Sequence, residues 1–326
     1  MNYIKLLRPL NLLIIAATMY LFRICLVAAS PYKLFYVEPV MSNVEFLLLV
    51  LATLFIAAGG YVINDVFDVE IDAVNRQGKV IVGNSVSEAS AYNLYKVLCA
   101  AAIISTVLLA LLTRNFRLSM LPLIIMVILN FYAHTFKKQL FVGNFMIALS
   151  TAFTIWLIAL FETSPKGEQT DMQSEVQSGI AIAAIVYGLF AFLTTFLREL
   201  VKDMEDMEGD ERGGCKTIPI VLGVNGAKAV AGFISVVLLL ILLAFAWFFP
   251  SMQIKLIAYF IVLGLILPLF LINILLFLAK NSKNYHFVSN LIKVFMCLGI
   301  ASMLYFRSGI GPYIFVQFAN FINKLF

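Results

Sequence analysis

Long apolar stretches constrain this chain more than any other feature of its sequence. A helix needs about 20 predominantly apolar residues to cross a bilayer. Such stretches recur at 10–29, 44–63, 91–113, 118–133, 140–161, 179–197, 226–249, 255–279 and 288–306. Hydrophobic residues make up 62% of the chain and charged residues only 13%, which is too little polar side chain to cover a soluble globule. We therefore predict an all-α, polytopic membrane protein with about nine transmembrane helices in a single domain, residues 1–326.

The two ends of the chain leave alternatives open. Lys5 and Arg8 precede an apolar run that ends in small residues, as in a cleaved signal peptide. Because that run contains Arg23 and is long enough to span, we favour a retained first helix. The last stretch, 309–326, is too short and too polar for a tenth span and is better suited to an amphipathic tail at the membrane interface.

Basic residues predict the orientation. Cytoplasmic loops carry an excess of Lys and Arg, and the N-terminal side of the predicted spans holds 15 of the 23 such residues against 7 on the other side. We therefore expect an integral membrane protein whose N-terminus and loops after spans 2, 4, 6 and 8 are cytoplasmic. The net charge of +5 is spread over loops, which argues against nucleic acid as a partner. No obligate protein partner is evident from the sequence.

Acidic residues are concentrated in two short windows. Eleven of the 18 acids fall within 65–72 and 199–211, each at the predicted cytoplasmic end of a span. If each window continues the preceding helix, it presents oxygen-bearing side chains on one face. These are Asn64, Asp68 and Asp72, with Asp65 beside them, and in the second window Asp203, Asp206 and Asp210.

Such stacked carboxylates favour a bound cation. They repel one another near a membrane and tend to protonate unless a cation neutralises them. Mg²⁺ is usually held by a few carboxylates together with substrate phosphates. We therefore predict Mg²⁺ as cofactor, with ligands among Asn64, Asp65, Asp68, Asp72, Asp203, Asp206 and Asp210. The alternative is two solvated helix ends with ordinary surface acids.

Basic residues interleave with these acids. Guanidinium and ammonium groups bind phosphate oxygens directly, which suits Arg76 and Lys79 after the first window, Arg198 and Lys202 at the second, and Lys137 after the fourth span. For Lys138, Lys280 and Lys283, loop topology alone is the simpler explanation. Tyr132 is suited to face a developing positive charge through its ring, and taken alone also to an interfacial position.

These residues resemble the motifs of the UbiA family of membrane-embedded prenyltransferases. The segment Asn64 to Asp72 fits the pattern NDxxDxxxD, and Asp203 to Asp210 fits DxxDxxxD. The segment Tyr132 to Lys137 resembles the family's Tyr-x4-Lys motif, and Arg8 to Asn11 resembles its Arg-Pro-x-Asn. The resemblance covers essentially the whole chain. The sequence departs from the family pattern after the first motif, where it continues as Gln77-Gly78-Lys79. Lys79 stands there in place of an expected arginine.

The resemblance implies Mg²⁺-dependent transfer of a polyprenyl group from its diphosphate to a lipophilic acceptor through an allylic cation, within the lipid bilayer. It implies catalytic roles for Asp68, Asp72, Asp206, Asp210, Lys137 and Tyr132. It implies substrate contacts from Asn64, Arg76, Lys79, Arg198, Lys202, Arg8 and Asn11.

The acceptor is the least constrained part of this prediction. The segment 198–219 is similar to digeranylgeranylglyceryl phosphate synthases, which favours a geranylgeranyl donor and geranylgeranylglyceryl phosphate as acceptor. An aromatic quinone precursor is the alternative acceptor. A transporter or cation channel is a more distant alternative, because both acid windows lie at the same membrane face.

Overall fold

The computed structural model describes residues 2–28, 39–75, 80–164, 171–251, 255–307, 314–318 and 320–321. Within these ranges nine helices are long and apolar enough to cross a membrane, and no strand is present. They are α1 (Pro9–Val27), α2 (Asn43–Phe67), α3 (Glu88–Thr113), α4 (Phe116–His134), α5 (Val142–Glu162), α6 (Gln173–Glu205), α7 (Ile218–Pro250), α8 (Lys255–Leu278) and α9 (Ser282–Phe306). The predicted all-α membrane architecture with nine spans is confirmed.

Side-chain caps begin several of these helices. Ser42 accepts a hydrogen bond from the Glu45 amide at 3.2 Å, and the Glu45 carboxylate accepts one from the Ser42 amide at 2.6 Å. This reciprocal pair satisfies two backbone donors at the start of α2. Ser87 caps α3 and Asn281 caps α9 through single bonds of the same kind. At these caps α3 begins at Glu88 and α9 at Ser282, earlier than the predicted apolar stretches.

Several of the spans are interrupted. The last turns of α1, Arg23–Val27, and a central part of α8, Ile261–Ile266, are π-helical. Gly223 interrupts α7 with φ 71° and ψ 168°, a conformation that is essentially restricted to glycine. The predicted seventh span starts at residue 226, after this break, whereas α7 begins at Ile218.

Helix α6 is the central helix of the bundle, with α5, α7 and α9 packed around it. Small residues allow the close approach. A Cβ atom at Gly188 of α6 would lie 2.0 Å from Trp156 Nε1 on α5, and that indole donates to the Ala184 carbonyl at 3.0 Å. On the other side, a Cβ atom at Gly299 of α9 would lie 2.1 Å from Phe190 of α6.

The end of the chain packs into the bundle where the structure describes it. Phe315 is 2% exposed and its ring contacts those of Tyr187 and Phe306. Phe318 stacks on Phe245 with 4.7 Å between ring centroids. The predicted interfacial tail is therefore wrong for residues 314–318, because their aromatic rings find apolar partners between the helices.

A buried ion pair joins α1 and α5 at the end of the bundle opposite the acid windows. The Arg23 guanidinium donates to Glu162 Oε1 at 2.9 Å, with side-chain exposures of 7% and 1%. Arg23 also donates to the Met41 carbonyl at 2.6 Å, and Glu162 Oε2 accepts from the Val40 amide at 2.6 Å. The pair closes this end of the bundle with nearly every polar atom bonded.

Candidate active site

Both acid motifs are interrupted at their middle aspartate. Helix α2 ends at Phe67, Asp68 adopts φ −98° and ψ 6°, and a short helix Val69–Asn75 follows. The second motif repeats this geometry: Asp206 adopts φ −97° and ψ 7° before the short helix Met207–Arg212. Each window therefore bends at its middle aspartate, while backbone hydrogen bonds of helical spacing continue across the bend, from Asp68 N to Asn64 O and from Asp206 N to Lys202 O.

The breaks allow the two short helices to pack on each other. The Gly209 amide donates to Asn75 Oδ1 at 2.8 Å, across 134 residues of sequence. A Cβ atom at Gly213 would lie 2.7 Å from Ile71 Cγ1, so the contact requires a residue without a side chain there. A straight continuation of α2 and α6 would not form these contacts. Long-range packing therefore decides the bend in each motif.

Asp68 is held by two neighbours at the break. Lys137, on the 3₁₀ turn Phe136–Lys138, forms an ion pair with Asp68 Oδ1. Asn64, one turn earlier on α2, donates to Asp68 Oδ2 at 2.6 Å. The Lys137 and Asp68 side chains are only 10% and 15% exposed, so this charge pair acts in a largely dry environment, where electrostatic interactions are stronger than in water.

Asp65 pairs with the start of α1. Arg8 donates to Asp65 Oδ1 at 2.5 Å and lies over the Tyr61 ring, 5.0 Å from its centroid. Arg8 itself has φ 51°, although the residue before a proline is ordinarily extended. Holding a non-glycine residue in this region costs about 1–3 kcal/mol. The Asp65 and Tyr61 contacts offset that cost and fix α1 beside the first window.

The second window is fixed by two polar contacts. Asn144 on α5 donates to Asp203 Oδ2 at 2.8 Å. Glu199 lies between two cations, 2.8 Å from Arg198 and 3.7 Å from Lys202. Sequence reasoning assigned no site role to Asn144 or Glu199. The sequence does contain a signal for each residue: Asn144 is a polar residue within an apolar span, and Glu199 is an acid directly after Arg198.

The two windows face each other and suit a hard cation. Burial first, and then the neighbouring carboxylates of Asp206 and Asp68, raise the pKa of the Asp210 carboxyl to about 7. Asn64 Oδ1 is buried and has no hydrogen-bond partner among the described residues. In the described part of the chain, no three Asp, Glu, His or Cys side chains converge tightly enough to hold an ion by themselves. That arrangement fits Mg²⁺, which is usually shared between a few carboxylates and substrate phosphates.

A cavity of about 260 Å³ extends from the acid windows into the bundle. Its charged end is lined by Arg8, Asn11, Tyr61, Asn64, Tyr132, Arg198, Glu199, Lys202 and Lys293. Its far end is mostly apolar, with Ile56, Ile125, Leu129, Phe153 and Leu157. From Asn64 to Thr53 the wall follows α2 for about 16 Å at the usual helical rise. The cavity can hold an apolar chain with an anionic head at the windows.

The structure brings together most of the predicted site residues. Direct contacts with a neighbouring side chain, or a place in the cavity wall, are found for Arg8, Asn11, Asn64, Asp65, Asp68, Tyr132, Lys137, Arg198, Lys202 and Asp203. Asp72, Asp206 and Asp210 lie at the breaks or on the short helices. Arg76 and Lys79 lie outside the described residues. All these roles stay predictions.

Comparison with known proteins gives a family model and a set of relatives. The model of the UbiA prenyltransferase family matches residues 13–301. The digeranylgeranylglyceryl phosphate synthase of Sulfurisphaera tokodaii is 31% identical over 198 residues, which cover 60% of this chain and 64% of the relative. The match therefore spans less than two thirds of that relative's length.

Solved structures resemble the fold over nearly its full length. The structure of a digeranylgeranylglyceryl phosphate synthase superposes with a TM-score of 0.60 at 22% identity, covering 94% of this chain and 97% of the other. A UbiA homologue from Archaeoglobus fulgidus, bound to GPP and Mg²⁺, gives a TM-score of 0.56 at 16% identity over 93% of this chain and 100% of the other. At these identities the likeness concerns the fold.

Proposed function

Since this chain belongs to the UbiA prenyltransferase family, we propose that it transfers a polyprenyl group from a diphosphate donor to a lipophilic acceptor in an Mg²⁺-dependent reaction. The observation that carries this proposal is the cavity, which is mostly apolar at its far end and whose charged end meets two facing acid windows. The relative named as a digeranylgeranylglyceryl phosphate synthase supports a geranylgeranyl donor and geranylgeranylglyceryl phosphate as acceptor.

The oxygen ligands proposed for Mg²⁺ are Asn64, Asp68, Asp72, Asp203, Asp206 and Asp210. When bound, Mg²⁺ neutralises diphosphate charge and so assists departure of the leaving group. The free Oδ1 of Asn64 supports this assignment. The mutual repulsion of Asp68, Asp206 and Asp210 supports it as well. Asp65 is a further proposed ligand, since Arg8 engages one of its carboxylate oxygens just as Lys137 engages one of those of Asp68.

Bond cleavage needs positive groups around the departing diphosphate. As the bond between C1 of the prenyl chain and the diphosphate oxygen breaks, the electron pair leaves with the oxygen. Lys137 lies beside Asp68 at the acid windows and Lys202 lies at the charged end of the cavity, and both can donate to that oxygen or its neighbours. Arg76 and Lys79 are proposed to add further contacts.

The remaining allylic cation needs shelter from water until the acceptor attacks. The apolar wall of the cavity excludes water, and the ring of Tyr132 offers a π-face to the cation. The acceptor hydroxyl oxygen attacks C1 and loses its proton. A carboxylate of the first window is the proposed recipient of that proton.

We propose that the acid windows and the N-terminus face the cytoplasm. The excess of Lys and Arg on that side supports this orientation. Both the donor head group and the ion would then be supplied from the cytoplasm, while the prenyl chains remain within the bilayer.

The decisive experiment measures diphosphate release by purified protein in detergent with geranylgeranyl diphosphate and Mg²⁺. Geranylgeranylglyceryl phosphate and a hydroxybenzoate are supplied separately as acceptors. We expect release with the glyceryl phosphate alone. Release only with the hydroxybenzoate would instead show that the acceptor is aromatic. If neither acceptor led to diphosphate release, the proposed reaction would be contradicted, and the alternative that the protein transports an ion would gain support.

Magnesium affinity should depend on pH. Because the pKa of the Asp210 carboxyl is raised to about 7, that group is neutral at lower pH and an incoming ion must displace its proton. We expect the apparent Mg²⁺ affinity to fall about tenfold per pH unit below about pH 7 and to level off above it. Calorimetric titration with Mg²⁺ in the presence of the prenyl diphosphate and without acceptor, between about pH 6 and pH 8, measures this. Asp210→Asn should flatten the profile, and equal affinity across the range would contradict the expectation.

A further inference from the structure

Lys293 is a cation within a membrane-spanning helix that the proposed reaction does not yet use. It lies on α9 about 16 Å along the helix from Ser282, at the usual rise per residue. Its side chain is part of the cavity wall and its Nζ donates to Asn11 Oδ1 on α1 at 2.5 Å. A charged side chain at this depth is costly and ordinarily marks a functional site.

Lys293 differs from the other cations of the cavity in having no carboxylate partner among the described residues. Arg8 pairs with Asp65, and Arg198 and Lys202 share Glu199. The contact recorded for Lys293 is with the neutral amide of Asn11. The Nε of Arg198 is likewise without a hydrogen-bond partner within the described ranges. The cavity therefore retains donors that no protein group satisfies.

The charged side chains of the cavity wall leave a positive surplus. With Arg8 neutralised by Asp65, the three cations Arg198, Lys202 and Lys293 face the single carboxylate of Glu199. The surplus is two positive charges. A phosphate monoester carries about −1.5 to −2 charges near neutral pH, whereas a carboxylate carries one.

We propose that Lys293, together with Asn11 and Arg198, binds the phosphate of a phosphorylated lipid acceptor. The inference rests on the proposed function and adds the residues that hold the phosphate of its acceptor. In a glyceryl phosphate acceptor the attacking hydroxyl and the phosphate ester sit on adjacent carbon atoms. The phosphate site must therefore lie beside the position of the donor's C1, at the charged end of the cavity where these residues are found.

The donor diphosphate is expected at a separate place. Asp68 and Lys137, whose ion pair marks the acid windows, are not part of the cavity wall, whereas Lys293 and Arg198 are. The site thus has two anion-binding regions, one at the acid windows and one between α1, α6 and α9.

The test compares geranylgeranylglyceryl phosphate with its dephosphorylated form, geranylgeranylglycerol, as ligands of the purified protein in detergent. Binding is measured by thermal shift in the presence of EDTA, which requires no turnover. We expect the wild type to bind the phosphorylated lipid about ten- to a hundredfold more tightly than the alcohol, and Lys293→Met to lose most of that preference. Lys293→Arg should keep much of it, and Lys283→Met, an exposed lysine on the same helix, should keep all of it.

Kinetics separate this inference from the proposed function. In Lys293→Met we expect the KM for the phosphorylated acceptor to rise about ten- to a hundredfold while the KM for the prenyl diphosphate changes little. An equal loss for both acceptors, or a rise in the donor KM instead, would overturn the phosphate site although wild-type transfer activity stands. A wild type that binds the two lipids equally would overturn it whatever the activity.

Discussion

Replacement of Asp68 by asparagine should lower the rate of prenyl transfer about a thousandfold or more, with the fold retained. The carboxylate of Asp68 is the point where Lys137, Asn64 and the second window meet. Asparagine keeps the size of the side chain but removes the charge that both Lys137 and a bound cation require. Removal of one preorganised electrostatic group typically costs about a hundred- to a thousandfold in rate, and here two interactions fail together. Initial rates of diphosphate release measure the loss.

The matched control for Asp68→Asn is Glu70→Gln, which removes an acid two residues away that is exposed to solvent. We expect its rate to stay within about twofold of the wild type, since an exposed charge interacts weakly with its surroundings. Similar losses in both variants would show that overall negative charge, and not the position of Asp68, supports the reaction.

Replacement of Glu162 by glutamine should destabilise the protein by about 3–5 kcal/mol, because it leaves the Arg23 charge buried without its counter-ion. Glutamine still accepts from the Val40 amide through its carbonyl oxygen, so the loss reports on the charge pair. Thermal unfolding in detergent measures the change. Activity of the surviving folded protein should be close to normal, since the pair lies at the far end of the bundle.

The double variant Arg23→Met with Glu162→Gln provides the control for this stability prediction. With both charges gone, neither partner leaves the other as an uncompensated buried ion, and part of the stability should return. If the double variant is as unstable as the sum of the two single variants, the charges are not coupled and the expectation is wrong.

The sequence was sufficient to predict the nine spans, because apolar length is a local property of the chain. It also indicated that the two acid windows belong together. The bends at Asp68 and Asp206 were not predictable, since the spacing of the acids is compatible with a straight helix. Those bends depend on contacts such as Ile71 with Gly213, which join residues far apart in sequence.

Lys293 was missed as a site residue for a different reason. Its place on the basic side of the membrane already had an explanation in the distribution of Lys and Arg. Only the contact with Asn11 across the cavity distinguishes it from a lysine that sets orientation. The burial of Lys293 against other helices depends on tertiary packing and cannot be inferred from the apolar pattern of α9.

The contact between Asn75 and Gly209 limits how this enzyme can be recombined with its relatives. A Cβ atom at residue 209 would lie 2.5 Å from the Asn75 side chain, so a relative that carries a larger residue there must accommodate it with a different partner. In a chimera that exchanges only one acid window, the segment from the relative would have to pack on a segment whose side chains suit a different partner. Segments 64–75 and 203–213 should therefore be exchanged as a pair when substrate preference is redesigned.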